Sequence, residues 1–207
     1  MKRNLKNFGT ALLILAFVAV SGASFAQKLK LKNGDLSVLK GQKEVLVKFT
    51  YEGLKIGKMP VEKYVNKKVT EKNKKKPGSG DQWLKKWQRD LDSVFPRHFV
   101  NHFNAMGKLK HVKMHRTGDA EYMFVVNTTF IEPGYNVGIS SKRASANMVV
   151  TLVAVSDPGK PLATITISKS PGNSMFGANY SSADRIAGCF ETAGEYLASF
   201  LIRKKAF

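Results

Sequence analysis

The chain has 207 residues, 34 Lys and Arg against 15 Asp and Glu, a formal net charge of +19 and a single cysteine. At that length one domain can bury a core without covalent staples, and one cysteine rules out an intramolecular disulfide. The positive excess attracts anionic partners through long-range fields without choosing among them.

Lys2, Arg3 and Lys6 precede an apolar run from Ala11 to Val20, and small residues end at Ser24-Phe25-Ala26. That order is expected of a secretory signal peptide over residues 1–26, cleaved before Gln27. The run is too short to span a bilayer comfortably, so no membrane-spanning segment is expected after cleavage. Three of the basic residues and none of the acidic ones fall in 1–26, which leaves the remainder at +16. No cysteine stands near the cleavage point, so a lipid anchor is not expected and the location read from the leader is periplasmic or secreted.

Residues 27–207 are expected to form one domain. LKLKNGDLSVLKGQ, with Asn33-Gly34, is a weak strand or loop. EVLVKFTYEG alternates with the period of a half-buried strand. Pro60 opens a helix whose apolar positions are Val61, Tyr64, Val65 and Val69. The run KNKKKPGSGD, residues 72–81, predicts a flexible Lys-rich loop, because like charges repel and Pro77, Gly78 and Gly80 break helices. A helix follows in DQWLKKWQRDLDSVF with Leu84, Trp87, Leu91 and Val94 on one side. Pro96 restarts it, and Phe99, Val100, Phe103 and Met106 continue the stripe to Gly107.

The period then changes to two. LKHVKMH predicts a strand, and EYMFVVNTTFI is apolar on both faces, as expected of a strand covered on both sides. The Pro133-Gly134 turn, a Gly/Ser loop, the strand ANMVVTLVAV, a turn at Asp157-Pro158-Gly159 and a returning strand PLATITISK follow. A last helix is capped by Ser181 with Asp184 and lined by Ile186, Phe190, Ala193, Leu197 and Phe200. The expected fold class is α+β: a single domain with a mainly antiparallel or mixed sheet of about four to five strands packed with three to four helices.

All four histidines lie in HFVNHFNAMGKLKHVKMH, residues 98–115, as two HxxxH pairs. One helical turn separates His98 from His102, so both could ligate one metal ion. Four strand residues span ~13 Å, which keeps His111 and His115 from sharing one. Phe99 stands where the general base of HExxH would be, and no Asp or Glu occurs between Asp92 and Asp119 to serve as a local partner. Arg97, Lys108, Lys110, Lys113 and Arg116 add positive charge around the cluster. A cationic face at the helix border is therefore the first reading, with a metal-dependent hydrolase built on His98 and His102 kept as the alternative.

Other motifs are negative. GNSMFGANY lacks the Lys-Ser/Thr of a P-loop, no GxSxG occurs, and no catalytic residue or cofactor is expected. Residues 176–183, rich in glycine before a capped helix, are an anion-site candidate. Cys189, beside Phe190 on the apolar side of the last helix, is expected to be a buried, inert thiol. Trp87 belongs to the core stripe, which leaves Trp83 as a surface anchor. The candidate polyanion-binding residues are Lys72, Lys74, Lys75, Lys76, Lys85, Lys86, Arg89, Arg97, Lys108, Lys110, Lys113 and Arg116. Export favours lipopolysaccharide, phospholipid, acidic glycan or an envelope protein as partner over nucleic acid.

The runs YMFVVNTTFIEPGYNVGISSKRASANMVVTLVAVSDPGKPLATITISKS and RIAGCFETAGEYLASFLIRKK resemble an uncharacterised family of exported Bacteroidetes proteins. They are also similar in pattern to the periplasmic α/β domains of the curli secretion channel and of penicillin-binding-protein activator lipoproteins. The resemblance covers about residues 120–205. It implies a protein of the cell envelope that binds or scaffolds, with no catalytic residues to carry over, and this chain departs from it by lacking the lipobox cysteine. The function expected is an exported, non-catalytic binding or assembly protein with a basic surface; an adhesin for acidic glycan or lipid is a further alternative.

Overall fold

The computed structural model describes residues 28–137, 140–172 and 181–207. The expected signal peptide and residues 176–180 of the anion-site candidate lie outside them. In chain order the strands are β1 (Lys28–Gly34), β2 (Glu44–Thr50), β3 (Lys55–Ile56), β4 (Met59–Pro60), β5 (Lys113–His115), β6 (Tyr122–Glu132), β7 (Tyr135–Val137), β8 (Ser140–Lys142), β9 (Ser145–Ala154) and β10 (Asp157–Pro171). The helices are α1 (Val61–Lys75), α2 (Ser79–Arg89), α3 (Phe95–Gly107) and α4 (Ser182–Arg203).

The main sheet has eight strands among the described residues, ordered β1-β10-β9-β6-β2-β5, with β3 beside the far end of β6 and β4 paired to β3. β7 and β8 form a separate two-stranded sheet. The class is α+β as expected, but a sheet of four to five strands is overturned. β3, β4 and β5 have two or three residues each, too few to display a period of two. The sheet is mixed: β2 runs parallel to both β5 and β6, while β6, β9, β10 and β1 are successively antiparallel.

Side-chain alternation places the core. Val45 and Val47 of β2, Phe124 and Val126 of β6, Met148, Val150 and Leu152 of β9 and Ile165 and Ile167 of β10 are all buried and face the helices. The opposite face carries Leu46, Met123, Val125 and Val149, which are only half-buried. Val153 of β9, on the same side as Val149, is buried, so the second face is partly closed, less completely than the first. Apolar residues on both faces of a strand record two environments that are drier than water, not two equally packed layers.

Three local readings also change. The Lys-rich run is mostly helix: α1 continues through Lys75, α2 starts at Ser79, and the connection is only Lys76, Pro77 and Gly78. LKHVKMH is not one strand, because Lys108–Lys110 form a 3-10 turn and His111 takes a left-handed φ of 55° before β5 begins. The β9–β10 reversal falls at Val155 and Ser156, so Asp157 already pairs with Ala154.

Pro96 explains an irregularity in the long helix. It has no N–H to donate, and the turn before it, Asp90–Val94, widens to a π-helix in which the Phe95 N–H reaches the Asp90 carbonyl five residues back. The Leu91 carbonyl then faces Pro96 where a donor should be. Tyr51, just past β2, fills the vacancy with a hydroxyl bond to Leu91 O of 2.5 Å. At the sheet edge, the Asn104 amide of α3 donates to Met114 O at 3.0 Å and accepts from Met114 N at 2.7 Å, standing in for a further strand beside β5.

The crossing of α3 on α4 turns on Gly194. A Cβ there would lie 2.1 Å from the Phe99 carbonyl oxygen, so only glycine lets the two backbones meet. Phe95 stacks on Phe190 at 5.2 Å across this crossing, and Phe49 of β2 meets Phe99 edge-on at 5.4 Å.

Gly194→Ala is expected to lower stability by about 1–3 kcal/mol despite the better helix propensity of alanine, measured by thermal or denaturant unfolding. Tyr51→Phe leaves a part-buried carbonyl without a donor and is expected to cost ~1–3 kcal/mol in the same measurement.

Candidate functional site

The α1–α2 hairpin builds one side of a cleft. Gly80 permits it, because a Cβ there would sit 2.3 Å from the Val69 carbonyl oxygen. Ser79 Oγ donates to Lys72 O at 2.8 Å and the Gly80 N–H to Asn73 Oδ1 at 2.7 Å, which fixes the first turn of α2 against the last of α1. Trp83 and Trp87 are one helical turn apart and stack at 5.9 Å with 13° between their planes. Tyr64 of α1 lies 6.2 Å from Trp83 and 6.1 Å from Trp87. Trp87 in turn meets Phe95 at 6.4 Å, so the aromatic group continues into the core.

These rings line an open cleft of about 1000 Å³. The hairpin contributes Tyr64, Lys68, Lys72, Trp83, Lys86, Trp87 and Arg89; α3 contributes His98; the end of β6 and the start of α4 contribute Glu132, Pro133, Gly134, Ser182, Asp184, Arg185 and Glu191. Ser181 caps α4 as expected, its hydroxyl accepting from Asp184 N at 3.1 Å. Arg185 donates to the Pro133 and Gly134 carbonyls at 3.1 and 3.2 Å, tying α4 to the root of the β7–β8 hairpin.

The charges divide unevenly. Asp90 is buried and pairs with Arg89 at 3.0 Å; Glu132 meets Lys142 Nζ at 2.6 Å; Asp184 accepts from the Ser181 hydroxyl at 2.6 Å; Glu191 holds His98 Nδ1 at 2.7 Å. Lys68 lies 5.8 Å above the Tyr64 ring and 3.8 Å from Glu71. Lys72 and Lys86 have no ion-pair partner among the described residues. Burial first, then the carboxylates of Glu71 and Glu132, hold the Tyr64 hydroxyl above its ordinary pKa, so it remains a neutral donor.

The structure sorts the residues singled out by sequence. Lys72, Lys86 and Arg89 come together at the cleft; Lys74, Lys75 and Lys76 extend the positive charge at the hairpin tip; Lys85 and Arg97 are exposed elsewhere on α2 and α3. Lys108, Lys110, Lys113 and Arg116 gather near the β5 edge, where Arg116 lies 3.9 Å from Asp92. Trp83 is half-buried on Trp87 and lines the cleft with it.

His98 and His102 lie at the border of the α3 stripe, as their phase predicts, with side chains 33% and 44% exposed. The absent local carboxylate is supplied from α4, since Glu191 bonds His98 and lies 3.9 Å from His102 Nε2. Ninety-three residues separate His98 from Glu191, so no local window holds the pair. Among the described residues no three His, Cys, Asp or Glu side chains are arranged to hold a metal ion. Sequence reasoning also missed Tyr64, Lys68, Glu132 and Arg185; the tyrosine carried only an apolar helical phase, and the rest no distinguishing signal.

No protein-family model matches the chain, and no curated protein does. Two solved structures of PelC from Paraburkholderia phytofirmans are distantly similar. One, a dodecamer carrying a leucine-to-methionine substitution, is 14% identical with a TM-score of 0.37. The other, a dodecamer in a second crystal form, is 15% identical with a TM-score of 0.38. Each alignment covers 81% of this chain and 96% of that one. Likeness at that level carries no functional argument. No helix among the described residues is long and apolar enough to cross a membrane.

Cys189 is fully buried, and burial pushes its thiol up to about 12. The native protein is expected to resist thiol-specific labelling at pH 8 and to label fully in denaturant, followed by mass spectrometry.

Proposed function

We propose that this chain is a non-catalytic binding or assembly protein of the bacterial cell envelope, which engages an anionic partner through the cleft and the adjoining basic face of α1 and α2. The observation that supports this reading most is the charge imbalance beside the aromatic wall. Each carboxylate lining the cleft is already bonded by a neighbour, while Lys72 and Lys86 stand uncompensated. Lys86 is exposed and Lys72 half-buried at the cleft, so both charges stand open to an incoming anion and attract it through their field.

The envelope location rests on the leader-like pattern of residues 1–26 and on the family resemblance, both of which also favour a periplasmic or secreted protein. Lipopolysaccharide, phospholipid headgroups, acidic glycans and acidic protein surfaces all carry the required charge. The remaining cations, from Lys74 to Lys76 at the hairpin tip and along the β5 edge, add long-range steering more than specificity.

Retention on immobilised heparin is expected to weaken steeply as salt rises. The Lys72→Glu/Lys86→Glu variant is expected to bind on the order of tenfold more weakly at low salt, with unchanged circular dichroism. Equal retention of the variant and the parent chain would count against the cleft.

A further inference from the structure

The cleft carries more information than its charge. Resting on the proposed anion-binding function, we infer that its ligand is an acidic glycan, with a sugar ring laid on the half-exposed Tyr64 and Trp83, which the buried Trp87 backs, and a carboxylate or sulfate met by Lys72 and Lys86.

Three features select this class. The first is shape. A planar bilayer surface touches convex or flat faces, whereas Trp83 and Tyr64 line a concave cleft of about 1000 Å³, within reach of a chain that can enter it. An acyl chain would want an enclosed apolar tunnel, and this cleft is open with charged groups along it. The second is the aromatic wall. Sugar rings present apolar C–H faces that pack on aromatic faces, and the mutual stacking of Trp83 and Trp87 with Tyr64 against both makes that wall rigid before any ligand arrives. The third is the distribution of polar groups. Cations come from α1 and α2, while Glu132, Asp184 and Glu191 come from β6 and α4. A polyphosphate has no hydroxyl to donate to those carboxylates. An acidic sugar has hydroxyls for them and an anionic group for the lysines.

Calorimetric titration of the full chain tests the assignment. The probes are an oligogalacturonate, a neutral maltooligosaccharide of the same length, and phosphatidylglycerol vesicles. The oligogalacturonate is expected to bind, and the neutral sugar to bind at least about tenfold more weakly. Trp83→Leu keeps an apolar side chain and every charge but removes the ring face, and is expected to weaken oligogalacturonate binding on the order of tenfold. Trp83→Phe, which keeps a ring, is expected to retain most of it; thermal melts of both variants confirm folding. Binding of vesicles without oligogalacturonate would overturn the glycan assignment and leave the anion-binding function standing. Oligogalacturonate binding that is indifferent to Trp83→Leu would overturn the stacking wall. Binding of neither anionic probe would overturn both readings.

Discussion

The approach of two helix backbones at Gly194 sets the position of everything around the cleft. With the Phe99 carbonyl where a Cβ would otherwise be, α3 and α4 meet at backbone contact. Phe95 and Phe190 then stack, and His98 comes within 2.7 Å of Glu191. The N-terminal turn of α4, with its Ser181 cap, lines the same cleft as α2. A larger residue at 194 would have to push the helices apart, and interiors packed at crystal density transmit such a shift to every neighbour.

From that crossing an aromatic series runs outward: Phe190, Phe95, Trp87, Trp83 and Tyr64, with adjacent centroids 5.2 to 6.4 Å apart. Its inner members are core and its outer members are wall. The cleft is therefore anchored to the most buried part of the molecule, and its shape inherits the rigidity of the core. Polar repairs sit at the weak points of this arrangement. Tyr51 supplies the donor that Pro96 withholds from Leu91, and Asn104 seals the β5 edge by imitating a strand. Each satisfies a backbone group that would otherwise be buried without a partner.

Much of the architecture was legible residue by residue. The alternation in EVLVKFTYEG, YMFVVNTTFI and ANMVVTLVAV locates β2, β6 and β9, and the three-and-four spacing of Phe99, Phe103, Phe190 and Leu197 marks the faces that α3 and α4 bury. Ser181 with Asp184 predicts the α4 cap. Local rules failed where an element was too short to show a period, as in β3, β4 and β5, or where sequence chemistry conflicted with packing. The Lys-rich run is a case of the second kind: its charges repel, yet they lie on solvated helical turns, and only the Pro77-Gly78 step is needed to reverse the chain. The histidine pairs are a third case: no carboxylate stands near them in the chain, and the partner comes from another helix.

The amino-acid sequence alone determined the leader-like pattern, the excess of positive charge, the mixed α+β class and the inward faces of the longer elements, since these follow from composition and from periods of 2 and 3.6 that any short window displays. Tertiary structure alone decided the number of strands, the unequal burial of the two sheet faces, the pairing of His98 with Glu191 and the gathering of Lys72, Lys86 and the aromatic wall into one cleft. Those depend on which distant segments touch, and that is set by close helix crossings and sheet order, for which a linear chain carries no local signature.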